Sequence, residues 1–290
     1  MNLLRPKPIA ETFLRTLHAE VAQLPTPLQL VGLLANGDRP AQVYARYTQQ
    51  AAERVGVSFA LRELPRLKLE EEIRVVNADP SIHGVMIYYP IFNVAHDNYL
   101  KDLVDPQKDI EGLTSYWIDK LYTNDRTDEH GNKAILPCTP LAIVKLLEAA
   151  GAMDESGHLT GQTITVFNRS EVVGRPLASM LANDGATVYS FDVHGPLKLS
   201  PGGALSETDI TRSAALAGSQ IVITGVPSRR FDPIDAHELA PETLCVNFST
   251  IRNFTPAARE AARQFIPRVG PMTVAIVLRN AVRLYRSYRL

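Results

Sequence analysis

Several short runs in this 290-residue chain hold side chains whose types and spacing could do chemistry. Asn168-Arg169-Ser170 turns the chain between a short apolar run, Ile164–Phe167, and Gly174-Arg175-Pro176, which opens a helix. Pro176 falls in the first helical turn, where an N–H has no partner to lose. A helix N-terminus directly after a strand is an anion site suited to a dinucleotide pyrophosphate. The next apolar run, Ala186–Phe191, is closed by Asp192, an acid placed to grip a ribose diol. Asp192 stands a little over twenty residues beyond Asn168, near the spacing of about 20 that a dinucleotide-binding fingerprint uses. Elsewhere, Tyr44 and Thr48 share one face of a helix at i, i+4. Tyr88 and Tyr89 end the run GVMIYYP, where side chains point into the crevice of an α/β sheet. Asp109 and Glu111 alternate in KDIEGLT, and Cys138-Thr139-Pro140 and Arg268–Thr273 (RVGPMT) each lead into a helix.

Each run also has an ordinary structural reading. Of the glycines in G-x-G-x-x-G only Gly174 stands in its place; Asn168 takes the first, as the residue next most tolerant of positive φ. The segment could therefore be a βαβ unit without a ligand. Tyr44 and Thr48 could simply pack, and Tyr88 and Tyr89 could fill space between helices. Asp109 and Glu111 could form an exposed acidic loop. Thr139 could be a helix N-cap with Pro140 at its first position, and Gly270-Pro271 mere punctuation. The seven histidines lie in unrelated contexts and read as surface or packing residues, and no Ser/His/Asp triad is visible.

The elements that must position these residues alternate between strand and helix. Leu28–Leu34, Val57–Leu64 and Gly84–Tyr89 read as strands, with helices at Pro40–Val55 (ended by Gly56) and Leu69–Asn77 between them. Lys101–Ser115 and residues 122–133 read as polar loops. The glycine-rich Gly151–Gly161 is the expected domain boundary. Strands follow at Gln220–Thr224 and Thr243–Phe248, and Pro271–Leu290 is a long final helix. The segment 193–205 carries no readable role. With 45% hydrophobic residues, 21% charged residues and a net charge of −1, the chain is neither disordered nor a nucleic-acid binder. It contains no membrane span and no zinc spacing between Cys138 and Cys245. Its N-terminus lacks a signal-peptide core, so a cytoplasmic protein is expected.

Taken in order, YxxxT, GVMIYYP, KDIEG, PCTP, RSEVVGRP and VGPMT resemble the methylenetetrahydrofolate dehydrogenase/cyclohydrolase family, from about Leu28 to about Val282. The resemblance implies two α/β domains flanking a cleft. Residues 1–150 plus 268–290 would form the folate-binding domain, and residues 151–267 a Rossmann-type NAD-binding domain. It also implies a cytoplasmic homodimer joined through the nucleotide domain, tetrahydrofolate derivatives as substrates, NAD as cofactor and no metal. Thr48 stands where bifunctional members have lysine, Tyr88 where they have glutamine, and Glu111 where they have aspartate. Those three departures look like the monofunctional NAD-dependent dehydrogenase branch. Asn168 replaces a glycine, and Ile266-Pro267-Arg268 replaces the usual residues before VGPMT. By resemblance, Tyr44 stacks on folate, Tyr88 lines the same pocket, and Glu111 accepts pterin N–H groups. Gly270, Pro271 and Thr273 border the reacting carbon, and Cys138 and Thr139 sit where nicotinamide meets folate. Asn168, Arg169, Ser170, Gly174, Gly225 and Thr273 serve the dinucleotide, with Arg169 and Ser170 facing its phosphates and Asp192 its ribose. A retired member that only binds, a bifunctional member, and an unrelated hydroxy-acid dehydrogenase remain the alternative readings.

Overall fold

A computed structural model describes residues 2–290 and divides the chain into two compact α/β units. One comprises Ala10–Cys138 with Thr273–Leu290; the other comprises the residues up to Ile9 with Thr139–Met272. Helix α1 (Pro6–Val21) runs across the first junction.

In the first unit, β1 (Gln29–Leu34), β2 (Ser58–Glu63) and β3 (Gly84–Ile87) form a parallel sheet in the order β2-β1-β3. Every residue of β3 and all but the first of β1 are buried, as expected of a parallel sheet with covered faces. Helix α2 (Arg39–Arg54) turns Ala45, Thr48, Ala51 and Ala52 inward, a narrow face of small residues. Gly56, at φ +81°, ends it. Helix α3 (Leu69–Ala78) buries Leu69, Ile73 and Val76 and carries Glu70, Glu71 and Glu72 in its first turn, where acids suit the helix dipole. These apolar residues join Val31, Leu33, Val85 and Ile87 in one core. Helix α4 (Val94–Asp102) is capped by Asn93, whose side chain accepts from the His96 N–H at 3.0 Å. Helix α5 (Ser115–Tyr122) buries Trp117.

The expected polar loop at 101–115 is a buried, charge-rich connection. Lys101 lies on α4, and Lys101, Lys108 and Asp109 are all buried. Lys108 Nζ donates to the carbonyls of Val76, Asn77 and Asp79 at 2.7–2.8 Å, closing the end of α3. Asp109 accepts backbone N–H groups from Gly112, Leu113 and Thr114 at 2.8–2.9 Å. These charges can be buried because backbone groups satisfy them, and composition alone does not reveal that.

From Thr139 onward, helix α6 (Cys138–Ala149) belongs to the second unit. The helix buries Leu141–Val144, Leu146 and Leu147, too wide an apolar surface for one flank to cover. Gly151–Gly161 is a turn region inside this unit, with Gly151, Gly157 and Gly161 at positive φ. Thr139 lies in the first turn of α6 and does not precede it. The remaining elements are β4 (Thr163–Phe167), α7 (Gly174–Asn183), β5 (Thr187–Asp192), β6 (Gly195–Leu199), β7 (Leu205–Glu207), α8 (Arg212–Ala217), β8 (Ile221–Thr224), β9 (Leu244–Asn247), α9 (Pro256–Ala261) and β10 (Gln264–Ile266). The sheet order is β10-β9-β8-β4-β5-β6-β7, with the first five strands parallel. Segment 193–205 supplies the turn and strand that continue this sheet antiparallel through β6 and β7. A parallel bridge between Leu3 and Phe265 brings the N-terminus into this unit. Helix α10 (Gly270–Arg289) ends the chain. Among the described residues no helix is long and apolar enough to cross a membrane.

Gly174 is fixed by close approach. A Cβ there would lie 2.1 Å from the Asn168 carbonyl oxygen, whereas a Cβ at Gly37 would meet nothing within 4 Å. Gly174→Ala is expected to cost about 1–3 kcal/mol, as overpacking generally does, with Gly37→Ala close to neutral. Urea denaturation of the two variants beside the parent measures the difference; equal stabilities would mean the turn relaxes freely.

Candidate active site

The first unit gathers five of the residues singled out above. Strand β3 is the outer strand of its sheet, and residues 108–111 cover its edge. Val85 N–H donates to the Lys108 carbonyl at 2.8 Å, and Ile87 N–H donates to Glu111 Oε2 at 2.9 Å. A carboxylate oxygen thus takes the place that a neighbouring strand's carbonyl would fill. Beyond β3, Tyr88 is buried and meets the Tyr44 ring edge-to-face, with centroids 5.9 Å apart at 81°. Thr48, fully buried one turn along α2, donates its hydroxyl to the Tyr44 carbonyl at 3.0 Å. The Cys138 N–H donates to the Glu111 carbonyl at 3.1 Å, and its thiol to the Ile110 carbonyl at 3.2 Å.

Burial sets the charge state of this cluster. It pushes Glu111 from its ordinary 4.5 up to about 8. The Ile87 N–H opposes the shift, the Asp109 charge adds to it, and Lys101 partly offsets it. Tyr44 is half-exposed as a residue, yet burial of its hydroxyl, with Cys138, Glu111 and Tyr88 nearby, raises its pKa well above the usual value. Burial also raises Tyr88, Tyr89 and Cys138. Near neutral pH the tyrosines and the thiol therefore keep their protons. Glu111 is the member poised to change charge.

The exposed acidic loop is the expectation that needs correction here. At Glu111, Oε2 accepts from the Ile87 N–H, and burial favours the carboxyl's proton. Asp109 and Glu111 are not equivalent acids of an exposed loop. Asp109 is consumed by its own turn, and only Glu111 is left for other work.

Three residues that sequence reasoning missed hold the cluster together. Asn36, just after β1, donates through Nδ2 to the Tyr88 and Pro90 carbonyls at 2.8 and 2.9 Å. Asn280, fully buried on α10, donates to the Ile110 and Leu136 carbonyls, both at 3.1 Å, joining the two loops that carry Glu111 and Cys138. Lys101 places its ammonium 5.5 Å over the Tyr89 ring. A polar Asn280 inside the apolar stripe of Val277, Ala281 and Leu284 was the available signal for one of them. Gly270, Pro271 and Thr273 lie in the first turn of α10, with Thr273 buried.

In the second unit, the turn after β4 is built by side chains and not by positive φ. Among non-glycine described residues only Asn124 and Glu242 have positive φ, so Asn168 does not use the conformation expected of it. Asn168 Oδ1 instead accepts from the Ser170 N–H and hydroxyl at 3.0 and 2.8 Å, and Nδ2 donates to the Gly225 carbonyl at 2.9 Å. Ser170 Oγ in turn accepts from the N–H groups of Val173 and Gly174. Arg169 folds onto the end of β5. It donates to Asp192 Oδ1 at 2.8 Å, to the Gly195 carbonyl at 2.6 Å and to the Ser190 carbonyl. The His194 N–H also donates to Asp192 Oδ1, so neither bond occupies Oδ2. The Phe248 ring fills the space where a Cβ on Gly225 would stand, a packing reason for that glycine.

The turn, the opening of α7 and Asp192 at the end of β5 form a strand–turn–helix–strand arrangement with an acid at the second strand's carboxyl end, the donor set a dinucleotide requires. Two family models match the chain: the tetrahydrofolate dehydrogenase/cyclohydrolase catalytic domain over residues 4–111, and the NAD(P)-binding domain of the same family over residues 137–223. The methylenetetrahydrofolate dehydrogenase [NAD(+)] of Schizosaccharomyces pombe is 40% identical over 97% of this chain and 92% of its own length. The chain belongs to the tetrahydrofolate dehydrogenase/cyclohydrolase family. The Saccharomyces cerevisiae protein named methylenetetrahydrofolate dehydrogenase [NAD(+)] is 41% identical over 90% of this chain and 87% of its own. The solved structure of the NAD-dependent 5,10-methylenetetrahydrofolate dehydrogenase from S. cerevisiae superimposes with a TM-score of 0.92 at 37% identity, covering 99% of this chain and 98% of that one. The fold is that of the dehydrogenase/cyclohydrolase family, and its second unit is the family's Rossmann-like NAD(P)-binding domain.

Glu111 links this family site to stability. Folded, it holds its proton up to about 8; unfolded, it releases it near 4.5. The native state therefore binds more protons between those values. This contribution to stability is complete below about 4.5 and is lost as pH rises through about 8. Glu111→Gln is expected to lose less stability than the parent between about pH 5 and about pH 9, measured by urea denaturation at each pH. Parallel pH profiles for the two proteins would mean the carboxyl titrates normally.

Proposed function

We infer that this chain is an NAD-dependent methylenetetrahydrofolate dehydrogenase. It oxidises 5,10-methylenetetrahydrofolate to the 5,10-methenyl cation and has no cyclohydrolase activity. The observation that carries the reading is the cluster of buried Thr48 and Tyr88 with the partly buried Tyr44 and Glu111, all uncharged near neutral pH, in a chain about 40% identical to proteins named for that activity. In the reaction the C–H bond of the bridging methylene breaks. Its electron pair leaves as hydride, and a nitrogen lone pair closes the C=N⁺ bond. NAD, when bound, supplies the hydride acceptor.

The chain's own residues position and balance charge. Tyr44 and Tyr88, with rings set edge-to-face, form an aromatic wall for the folate ring system. Once ionised, Glu111 gives the pterin N–H groups an acceptor in the oxygen that Ile87 does not use. As positive charge develops on the methenyl carbon it draws the Glu111 pKa down; the carboxyl gives its proton to solvent, and the carboxylate balances the product cation. Gly270, Pro271, Thr273 and Thr139 would border the reacting rings. The Asn168–Gly174 turn and α7 would hold the pyrophosphate, and Asp192 Oδ2 the adenosine ribose. Because Arg169 is spent on Asp192, Ser190 and Gly195, it is not free to receive a 2′-phosphate. The same reading places the enzyme in the cytoplasm as a homodimer joined through its nucleotide-binding unit. The two free, buried cysteines fit a reducing compartment.

Absorbance of methenyltetrahydrofolate, followed with each nicotinamide cofactor, tests both the activity and the choice of cofactor. Catalytic efficiency is expected to favour NAD⁺ clearly, because Asp192 Oδ2 can accept from a ribose diol while Arg169, bound to Asp192, is not free to pair with a 2′-phosphate. Asp192→Ser should narrow the gap. Efficiency with NADP⁺ equal to or above that with NAD⁺ would overturn the preference.

Cyclohydrolase action needs a group that moves protons beside the methenyl carbon. Thr48, buried and donating to the Tyr44 carbonyl, neither titrates near pH 7 nor carries charge. Supplied with 5,10-methenyltetrahydrofolate, the enzyme is expected to leave its decay at the buffer rate. Thr48→Lys combined with Tyr88→Gln should raise decay above that rate, and Thr48→Lys alone should raise it little. Decay well above background in the parent would sink the assignment. Its loss in Glu111→Gln would then name Glu111, whose pKa near 8 suits such work, as the base.

A further inference from the structure

Away from this cluster, α1 and the C-terminal half of α10 border a cavity of about 540 Å³ that the proposed reaction does not use. Four cationic residues line it, Lys133, Arg279, Arg283 and Arg286, against one acid, Glu20. Glu20 is already engaged, since its Oε2 accepts from Arg286 Nη1 at 2.8 Å. The Arg283 side chain is partly buried and forms no hydrogen bond or ion pair among the described residues. Burial and the neighbouring Arg279 charge pull its pKa down to about 10, with Glu20 only partly offsetting them. A desolvated guanidinium beside a second one is unfavourable unless an anion completes it. The remaining wall joins apolar Phe13, Leu17 and Val282 with the polar side chains of Thr12, Thr16 and Asn132.

We propose that this cavity binds a small organic polyanion, with two or more phosphate or carboxylate groups on a partly apolar body. Paired guanidinium groups match either oxyanion through parallel N–H donors. The volume lies in the range of small-molecule sites, about 300–1,000 Å³, and well above what a single oxyanion fills.

The test is calorimetric titration and thermal unfolding of the full chain at low salt, with NAD⁺ present in excess to occupy the dinucleotide site. Inorganic tripolyphosphate and citrate serve as separate probes. At least one is expected to bind and to raise the unfolding temperature. Binding of tripolyphosphate alone assigns the site to phosphates, and binding of citrate alone assigns it to carboxylates. Arg283→Met should weaken binding at least tenfold while leaving the free protein as stable as the parent or more so, because an uncompensated charge is removed. Glu20→Gln should tighten binding several-fold by freeing Arg286. Failure of both probes to bind the parent, or unchanged affinity in Arg283→Met, would overturn the proposal.

Discussion

The hydrogen bond from the Ile87 N–H to Glu111 Oε2 is the constraint on which the first unit's chemistry depends. Strand β3 has β1 on one side only, and an edge strand presents N–H groups that must find acceptors. Lys108 supplies a carbonyl to Val85, and the carboxyl of Glu111 supplies the next acceptor. The bond does two things at once. It closes the sheet edge, and it brings an ionisable group into a desolvated position that the surrounding chain would not otherwise tolerate. One N–H is too little to hold the charge at neutral pH, so burial wins and the pKa rises to about 8. An acid so placed is neutral at rest and ready to ionise when positive charge arrives beside it.

Two acids two residues apart illustrate why local sequence could not separate their roles. Asp109 and Glu111 look alike in KDIEGLT, yet Asp109 accepts four N–H groups of the turn that follows and is structurally exhausted. Glu111, one methylene longer, reaches back to β3 with one oxygen and keeps the other. The distinction lies in which N–H groups the fold brings within reach. The same logic governs Arg169. By position it could have served a phosphate, but the antiparallel turn after Asp192 offers it carbonyls at Ser190 and Gly195, and it takes them.

Much of the fold was legible because it rests on periodicity and punctuation. The buried runs that became β1, β3, β4 and β5, Gly56 ending α2 and Pro176 in the first turn of α7 all follow from local rules. The cluster of Tyr44, Thr48, Tyr88, Glu111 and Cys138 was legible through family resemblance, since no local rule joins residues so far apart. What stayed hidden depended on long-range satisfaction of polar groups. The buried Lys108, the clamps made by Asn36 and Asn280, and the strands made from 193–205 all exist because distant backbone groups needed partners. Asn168 shows the limit of substitution by analogy. It fills a glycine's place without a glycine's conformation, and its amide builds the turn that positive φ would otherwise have made.

Asn280 carries the argument from local bonds to the site as a whole. Glu111 can be held in a desolvated position only if the loop bearing it cannot open to water, because hydration would remove the burial that raises its pKa. The Ile110 carbonyl adjoining Glu111 and the Leu136 carbonyl near Cys138 both accept from the one amide of Asn280, on a helix whose neighbouring residues are buried. An apolar residue there would fill the space but take this donor from the Leu136 carbonyl and leave the Ile110 carbonyl only the Cys138 thiol, at a cost of about 1–3 kcal/mol for a carbonyl left unpaired. It would also release the two loops from each other. The polar residue in the apolar stripe therefore ties the loop that carries Glu111 to the loop that carries Cys138, and the setting of that carboxyl depends on a helix far along the chain.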